Sequence, residues 1–165
     1  MSLNEEDYYQ KVRLAILVAF DLIIINNKGQ VLVGERTNAP AKGFLFTPGG
    51  NVHKGETFDE AIRRISSKEL GFEISLKETR LNGIYDQKYK ENFRDSSFGS
   101  QYLDLAFEHK LGNNKIDKKT FLRQHKNLMW MSVKEIMKSK DVHDYVKNYF
   151  MKGAPNKLSY KMNKS

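Results

Sequence analysis

Residues 48–72 read PGGNVHKGETFDEAIRRISSKELGF, and this stretch decides the fold. Thr57, Phe58, Asp59 and Glu60 form a capping box, in which the Thr57 hydroxyl and the Glu60 carboxylate can each accept from the other's backbone amide. A helix over Phe58–Leu70 follows, and Gly71 ends it. With Phe58 at zero and about 100° per residue, Ile62 falls near 40°, Ile65 near 340° and Ala61 near 300°. Those three make a buried stripe. Glu69 falls near 20°, in the middle of it, while Lys68 leaves near 280° and cannot easily neutralise it. A carboxylate on an apolar face either bends into solvent at the helix end or finds a cation, because isolated burial costs several kcal/mol. Just upstream, Gly49 and Gly50 allow a backbone that exposes carbonyls and lets a ligand approach. Hard Mg²⁺ takes oxygen ligands from one or two carboxylates plus substrate phosphates. A glycine carbonyl and Glu69 suit that part.

Outward from this stretch, the chain predicts strands interleaved with helices. A short helix over Asn4–Lys11 leads into a long strand over Arg13–Asn26, whose polar break is Asp21. Asn27-Lys28-Gly29 is a turn, and Gln30–Arg36 alternates as the returning strand. Asn38–Gly43 is a loop held by Pro40, Phe44–Phe46 is briefly extended, and Pro48-Gly49-Gly50 is a tight turn. Thr79–Lys88 and Gln101–Leu111 are strands, and Asn113–Asn127 is a long polar loop of the kind that is often functional. Leu128–Met131 is a short strand, and Ser132 to Glu135 form a second capping box opening a helix to about Ser139. An amphipathic helix over Asp141–Lys152 stops at Gly153. The expectation is one domain over residues 1–153, an α/β or α+β sandwich, with a basic mobile tail over residues 154–165.

Composition bounds the chemistry. The chain has 165 residues, 39% of them hydrophobic, which suits one core. It has no cysteine, which excludes disulfides, thiolate metal sites and a thiol nucleophile. No apolar run approaches the roughly 18 residues of a membrane span, and the acidic start is unlike a secretory leader, so a cytoplasmic protein without a membrane partner is expected. The net charge of +8 suits a phosphate-bearing partner, but no aromatic and basic platform for nucleic acid accompanies it.

The stretch also carries a family resemblance. Gly50, Glu56, Arg64, Glu69, Gly71 and Phe72 stand at the separations of the Nudix box, with Ile65, Ser66 and Lys68 replacing a glutamate, an apolar residue and a second glutamate. The chain resembles the GDP-mannose mannosyl hydrolase branch of that family. The likeness extends through RLAILVAFDLIIINNKGQVLVGERTNAPAKGFLFTPGG, NGIYDQKYKENF, SQYLDLAF and the Gln124-His125 pair before Trp130.

The resemblance implies a Nudix-type αβα sandwich with a mixed sheet, and one Mg²⁺ held by the Gly49 carbonyl, Glu69, Gln124 and the substrate diphosphate. It implies His125 as general base and Arg36 neutralising the departing GDP. Asp21, Arg64 and Tyr102 would position metal ligands and substrate, with Asp21 counted among the catalytic residues. Among Tyr8, Tyr9 and Tyr89, candidates to stack on the base, Tyr89 is assigned to substrate. Water would attack the anomeric carbon of a GDP-sugar with inversion, and the assembly would be a homodimer with the N-terminal segment reaching across. Two positions depart from the branch: Asn51 stands for an arginine and Gln87 for a histidine, and Lys42, Lys54 or Lys88 could replace the missing cation. The alternatives are a conventional Nudix pyrophosphohydrolase drawing on Glu56, Glu60 or Asp104 for further metals, and a nucleotide-binding module without turnover.

Overall fold

The computed structural model describes residues 3–159. Helix α1 spans Glu5–Leu14, and strands β1 Leu17–Ile25, β2 Val31–Glu35, β3 Leu45–Phe46 and β4 Gly49–Asn51 follow. Helix α2 is Phe58–Leu70, then come β5 Arg80–Tyr89, β6 Ser100–Lys110, α3 Lys118–Phe121, β7 Met129–Met131, α4 Val133–Lys138 and α5 Asp144–Asn148. The sheet runs β3-β2-β1-β6-β5, with β4 also pairing β1 and β7 also pairing β2. β1 and β6 are parallel from Leu17 opposite Tyr102 to Ile25 opposite Lys110, and the other pairings are antiparallel. The sheet is therefore mixed, as expected.

Both faces of β1 are covered, which explains its nearly unbroken apolar run. Phe20, Leu22 and Ile24 pack with Leu32, Phe107 and Phe121 against Ala61, Ile62, Ile65 and Leu70 of α2. On the other face Ile23, with Val31, Val33, Tyr85 and Ala106, packs against Ile136, Val146 and Tyr149. These two cores make the αβα sandwich. Asp21, one residue out of step with Phe20 and Leu22, falls on the Tyr149 side.

α2 matches its sequence reading in full, including both halves of the Thr57–Glu60 box and the left-handed Gly71 cap. Other boundaries are corrected. The strand expected from Arg13 starts at Leu17, because α1 continues through Leu14 and buries Val12; the apolar spacing there serves a helix as well as a strand. Pro48-Gly49-Gly50 is not a free turn: Gly49–Asn51 is a strand on β1. The polar loop before Trp130 contains α3, capped by Asp117 and anchored by buried Phe121. The last helix keeps only Asp144–Asn148 of its expected length.

The tail does not leave the body at Ala154. Ala154 is buried, the Asp86 amide donates to the Asn156 carbonyl, and the Leu158 amide donates to the Ile84 carbonyl, so this segment lies along β5. Its continuation over residues 160–165 is outside the described residues.

Candidate active site

The site is built at the mouth of β1, β4 and α2. In β4 the register sets which carbonyls are available. Leu22 donates to the Pro48 carbonyl and Val52 donates to the Val18 carbonyl, with Phe20 facing Gly50 between them. Strand alternation then turns the Gly49 and Asn51 carbonyls away from β1. The Asn51 carbonyl accepts from Arg64 Nη2 at 2.8 Å, while Gly49 lines a cavity of about 450 Å³ together with Glu69, Gln124 and His125. Position 49 requires glycine, because a Cβ there would run into Asp21 Oδ1 and the Phe20 carbonyl.

Arg64 and Glu56 lock the loop before α2. Arg64 Nε donates to Glu56 Oε2 at 2.9 Å and Nη2 donates to Oε1 at 2.6 Å, and Oε1 also accepts from the His53 amide. The guanidinium holds the Glu56 carboxyl down to about 2. Glu56 is thus occupied structurally. Because its folded value lies below the ordinary glutamate value, its contribution to stability is present above about pH 4.3 and fades as pH falls through about 2. Glu56→Gln should lower the melting temperature at pH 7 by about 2–4 °C, for a loss of roughly 1 kcal/mol in this partly exposed pair. Differential scanning calorimetry at pH 7 and pH 3 checks it: a difference between wild type and variant that does not shrink at pH 3 contradicts the assignment.

Glu69 is 5% exposed and makes no escape into solvent. Its Oε2 lies 3.2 Å from His125 Nε2. A carboxylate can only accept, so Nε2 carries the hydrogen in this pair. The imidazole stacks on Phe121 with ring centroids 4.3 Å apart, and its Nδ1 is buried without a partner. Gly34 makes room for it, since a Cβ there would come within 2.7 Å of both His125 and Phe121. The Thr47 hydroxyl, also lining this cavity, is likewise buried and unpartnered. The oxygen donors here, the Glu69 carboxylate, Gly49 carbonyl and Gln124 amide, fit one hard divalent cation. Among the described residues no three of His, Asp and Glu converge as a metal cluster.

Arg36 stands where this cavity meets a smaller one of about 170 Å³. It lies over the Phe46 ring at 5.5 Å, and its Nε is buried without a partner. Among the described residues no carboxylate forms an ion pair with it. The smaller pocket is lined by Asp21, Asp104, Gln87, Tyr89 and Tyr102. Tyr149 Oη donates to Asp21 Oδ2 and lies 3.2 Å from Asp104 Oδ2, and Gln87 Nε2 donates to both Asp104 Oδ2 at 3.1 Å and Tyr149 Oη at 2.9 Å. Burial raises Asp21 to about 6 against the pull of Tyr149 and Arg36, and burial beside Asp21 raises Asp104 well above its usual range.

Every residue assigned to the site by the sequence therefore lines one of two adjoining cavities. The residues the sequence reading missed are Thr47 and Tyr149, and Asp104 sits in the smaller pocket, away from Glu69. Asp21 and Asp104 share one signal, a carboxylate inside an apolar strand, whereas Tyr149 reads as an ordinary aromatic of an amphipathic helix. The suggested replacement cations do not line the main cavity; Lys68 does. Asn51 instead donates its amide to the Tyr8 hydroxyl at 2.7 Å, holding α1 over the site.

The family profile described as the NUDIX domain matches residues 16–151 of this chain. The chain belongs to the Nudix hydrolase family. Nudix hydrolases generally use divalent metals, in keeping with the donors around Glu69. Similar in sequence is the low-salt glycan biosynthesis protein Agl8 of Haloferax volcanii, 38% identical over 112 residues, which are 68% of each chain. An ADP-ribose pyrophosphatase of Methanocaldococcus jannaschii is 39% identical over 62 residues, 38% of this Nudix chain and 36% of that protein, so the likeness spans about a third of its length. In fold, this Nudix protein resembles the MutT protein from Methanosarcina mazei Go1, with a TM-score of 0.64 and 18% identity over 82% of this chain and 90% of that one. It also resembles the NUDIX domain of Shewanella oneidensis NrtR, solved with ADP ribose, with a TM-score of 0.60 and 14% identity over 90% and 97% of the two chains.

Proposed function

We propose that this Nudix hydrolase splits a GDP-sugar, GDP-mannose or GDP-glucose, into GDP and free sugar, with one Mg²⁺, by attack of water at the anomeric carbon with inversion. The observation that carries this reading is Arg36. A half-buried guanidinium that forms no ion pair among the described residues, set between an oxygen-lined cavity and a pocket of carboxylates and tyrosines, suits a diphosphate joined to a polyol. The similar Haloferax volcanii protein is named for glycan biosynthesis, and a nucleotide sugar is in keeping with that name.

In this mechanism Glu69, the Gly49 carbonyl and Gln124 would hold the cation, which when bound would withdraw charge from the diphosphate. Arg36 balances the charge that the GDP oxygen gains as the C–O bond breaks. For His125 to act as the base, the hydrogen that its Nε2 shares with Glu69 would have to sit instead on Nδ1, the nitrogen buried without a partner, leaving Nε2 free to take a proton from the attacking water. Asp21, Tyr89 and Tyr102 orient the sugar, and Arg64 keeps the β4 loop in place. Cleavage at phosphorus would call for more carboxylates beside Glu69. The three candidates are committed elsewhere: Glu56 to Arg64, Glu60 to the cap of α2, and Asp104 to Tyr149 and Gln87.

A homodimer joined at the α1 end belongs to the same proposal, since Leu14 and Ile16 lie exposed there, as does a cytoplasmic location; among the described residues no helix is long and apolar enough to cross a membrane. The deciding experiment is hydrolysis of GDP-mannose in ¹⁸O-labelled water with Mg²⁺. Label should enter the sugar, the GDP should stay unlabelled, and the first-formed anomer should be inverted, as direct attack by a base-activated water requires. Label in GMP or another phosphate product would instead establish a pyrophosphohydrolase, and no product would leave a binding module.

A further inference from the structure

Below the smaller pocket, two carboxylates and one phenol sit closer together than their charges allow unless a proton is shared. Asp104 is 1% exposed and Asp21 is 8% exposed. The Tyr149 hydroxyl has one hydrogen, and Asp21 Oδ2 receives it. Tyr149 Oη is nevertheless 3.2 Å from Asp104 Oδ2. The second contact becomes a hydrogen bond only when Asp104 itself carries a proton and donates it to Oη.

The remaining count then closes. Gln87 Nε2 spends its two hydrogens on Oη and on Asp104 Oδ2, and Gln87 Oε1 accepts from Tyr89 at 3.0 Å. What is left over is Asp104 Oδ1, buried with no partner. For the carbonyl oxygen of a neutral acid that is tolerable, and for an ionised carboxylate it is not. Asp21 Oδ1 lies against Gly49.

We propose that Tyr149 is a positioning residue of this enzyme: its hydroxyl, backed by Gln87 and by a protonated Asp104, fixes the Asp21 carboxylate at the seam of the two cavities, where it orients the sugar. The orienting part rests on the GDP-sugar reading above; the proton arrangement does not. Tyr149 is the residue that caps the C-terminal end of α5, and its ring is set by the edge of Tyr85 at 5.0 Å and by Asn82, whose amide donates to the Tyr149 carbonyl. Lys157, from the segment lying along β5, donates to the Asn82 carbonyl at 2.9 Å and braces the same corner. Asp21 is thereby held from the far end of the chain.

The test uses the full chain and two readouts. Tyr149→Phe keeps the ring packing and removes one hydrogen bond to a charged group. Its kcat on GDP-mannose should fall about 10- to 100-fold, while GDP alone, titrated calorimetrically with Mg²⁺, should bind within about twofold of wild type. A loss of GDP affinity equal to the loss in turnover, or no change in turnover, would overturn the positioning role. The second readout needs no substrate and no stable Tyr149 variant. In ¹³C-aspartate-labelled wild type at pH 7, the Asp104 carboxyl resonance, assigned by its disappearance in Asp104→Asn, should lie in the protonated range. An ionised Asp104 would overturn the arrangement. Should wild type turn over no GDP-sugar, the function reading falls, and the carboxyl spectra still decide the proton arrangement.

Discussion

Glu69→Gln is expected to lower kcat/KM at limiting Mg²⁺ by about 100-fold or more and to leave the fold intact. The size follows from the site. Loss of a group merely supporting a metal ligand costs about 10- to 100-fold in affinity or activity, so loss of a direct carboxylate ligand should reach at least the top of that range. The intact fold follows from the pair with His125. A glutamine amide oxygen can still accept from Nε2, now 3.2 Å away, and the residue buries no charge. Activity measured across a Mg²⁺ series, beside a thermal melt, separates the two effects. Activity near the wild-type level at limiting Mg²⁺ would remove Glu69 from the metal site. The rate loss for Glu56→Gln should be the smaller, because that carboxylate is committed to Arg64.

The placement of these two glutamates, Glu69 on the buried face of α2 and Glu56 beside Arg64, was legible in the sequence, and its reason is local. The turn angle of an α-helix places Glu69 on the buried stripe, and a capping box announces the start of α2 within four residues. Asp21 was legible as a polar break in an apolar run. Gly49 was found as a flexible point but misread as a turn, because two glycines carry no side-chain alternation to mark a strand, and β4 exists only through its pairing with β1. The extension of α1 through Leu14 was hidden for the opposite reason: apolar residues in that run satisfy both periods. Tyr149 meets Asp21 across 128 positions of chain, and no local pattern encodes such a contact. For Gly49 and Tyr149 the determining interaction was a long-range one.

Arg36→Met is expected to move stability and activity in opposite directions. In the free protein the guanidinium is weakly compensated: Nε is buried without a partner, no carboxylate forms an ion pair with it among the described residues, Asp21 attracts it only from beyond ion-pair distance, and Phe46 at 5.5 Å offers a modest cation–π contact. Methionine fills a similar space without charge. The melting temperature should therefore rise by about 1–4 °C, the shift given by a gain of roughly 0.5–1 kcal/mol in a domain of this size. Turnover of GDP-mannose should fall by about 10²–10³, the usual cost of removing one group aimed at charge that develops in the transition state. Adding GDP and Mg²⁺ provides the sharper measurement. A ligand stabilises the folded state in proportion to its affinity, so saturating GDP should raise the wild-type melting temperature more than that of the variant and reverse their order. If Arg36→Met melts lower than wild type without ligand and keeps its GDP shift, the guanidinium is a structural anchor, and the diphosphate does not belong at the junction of the two cavities.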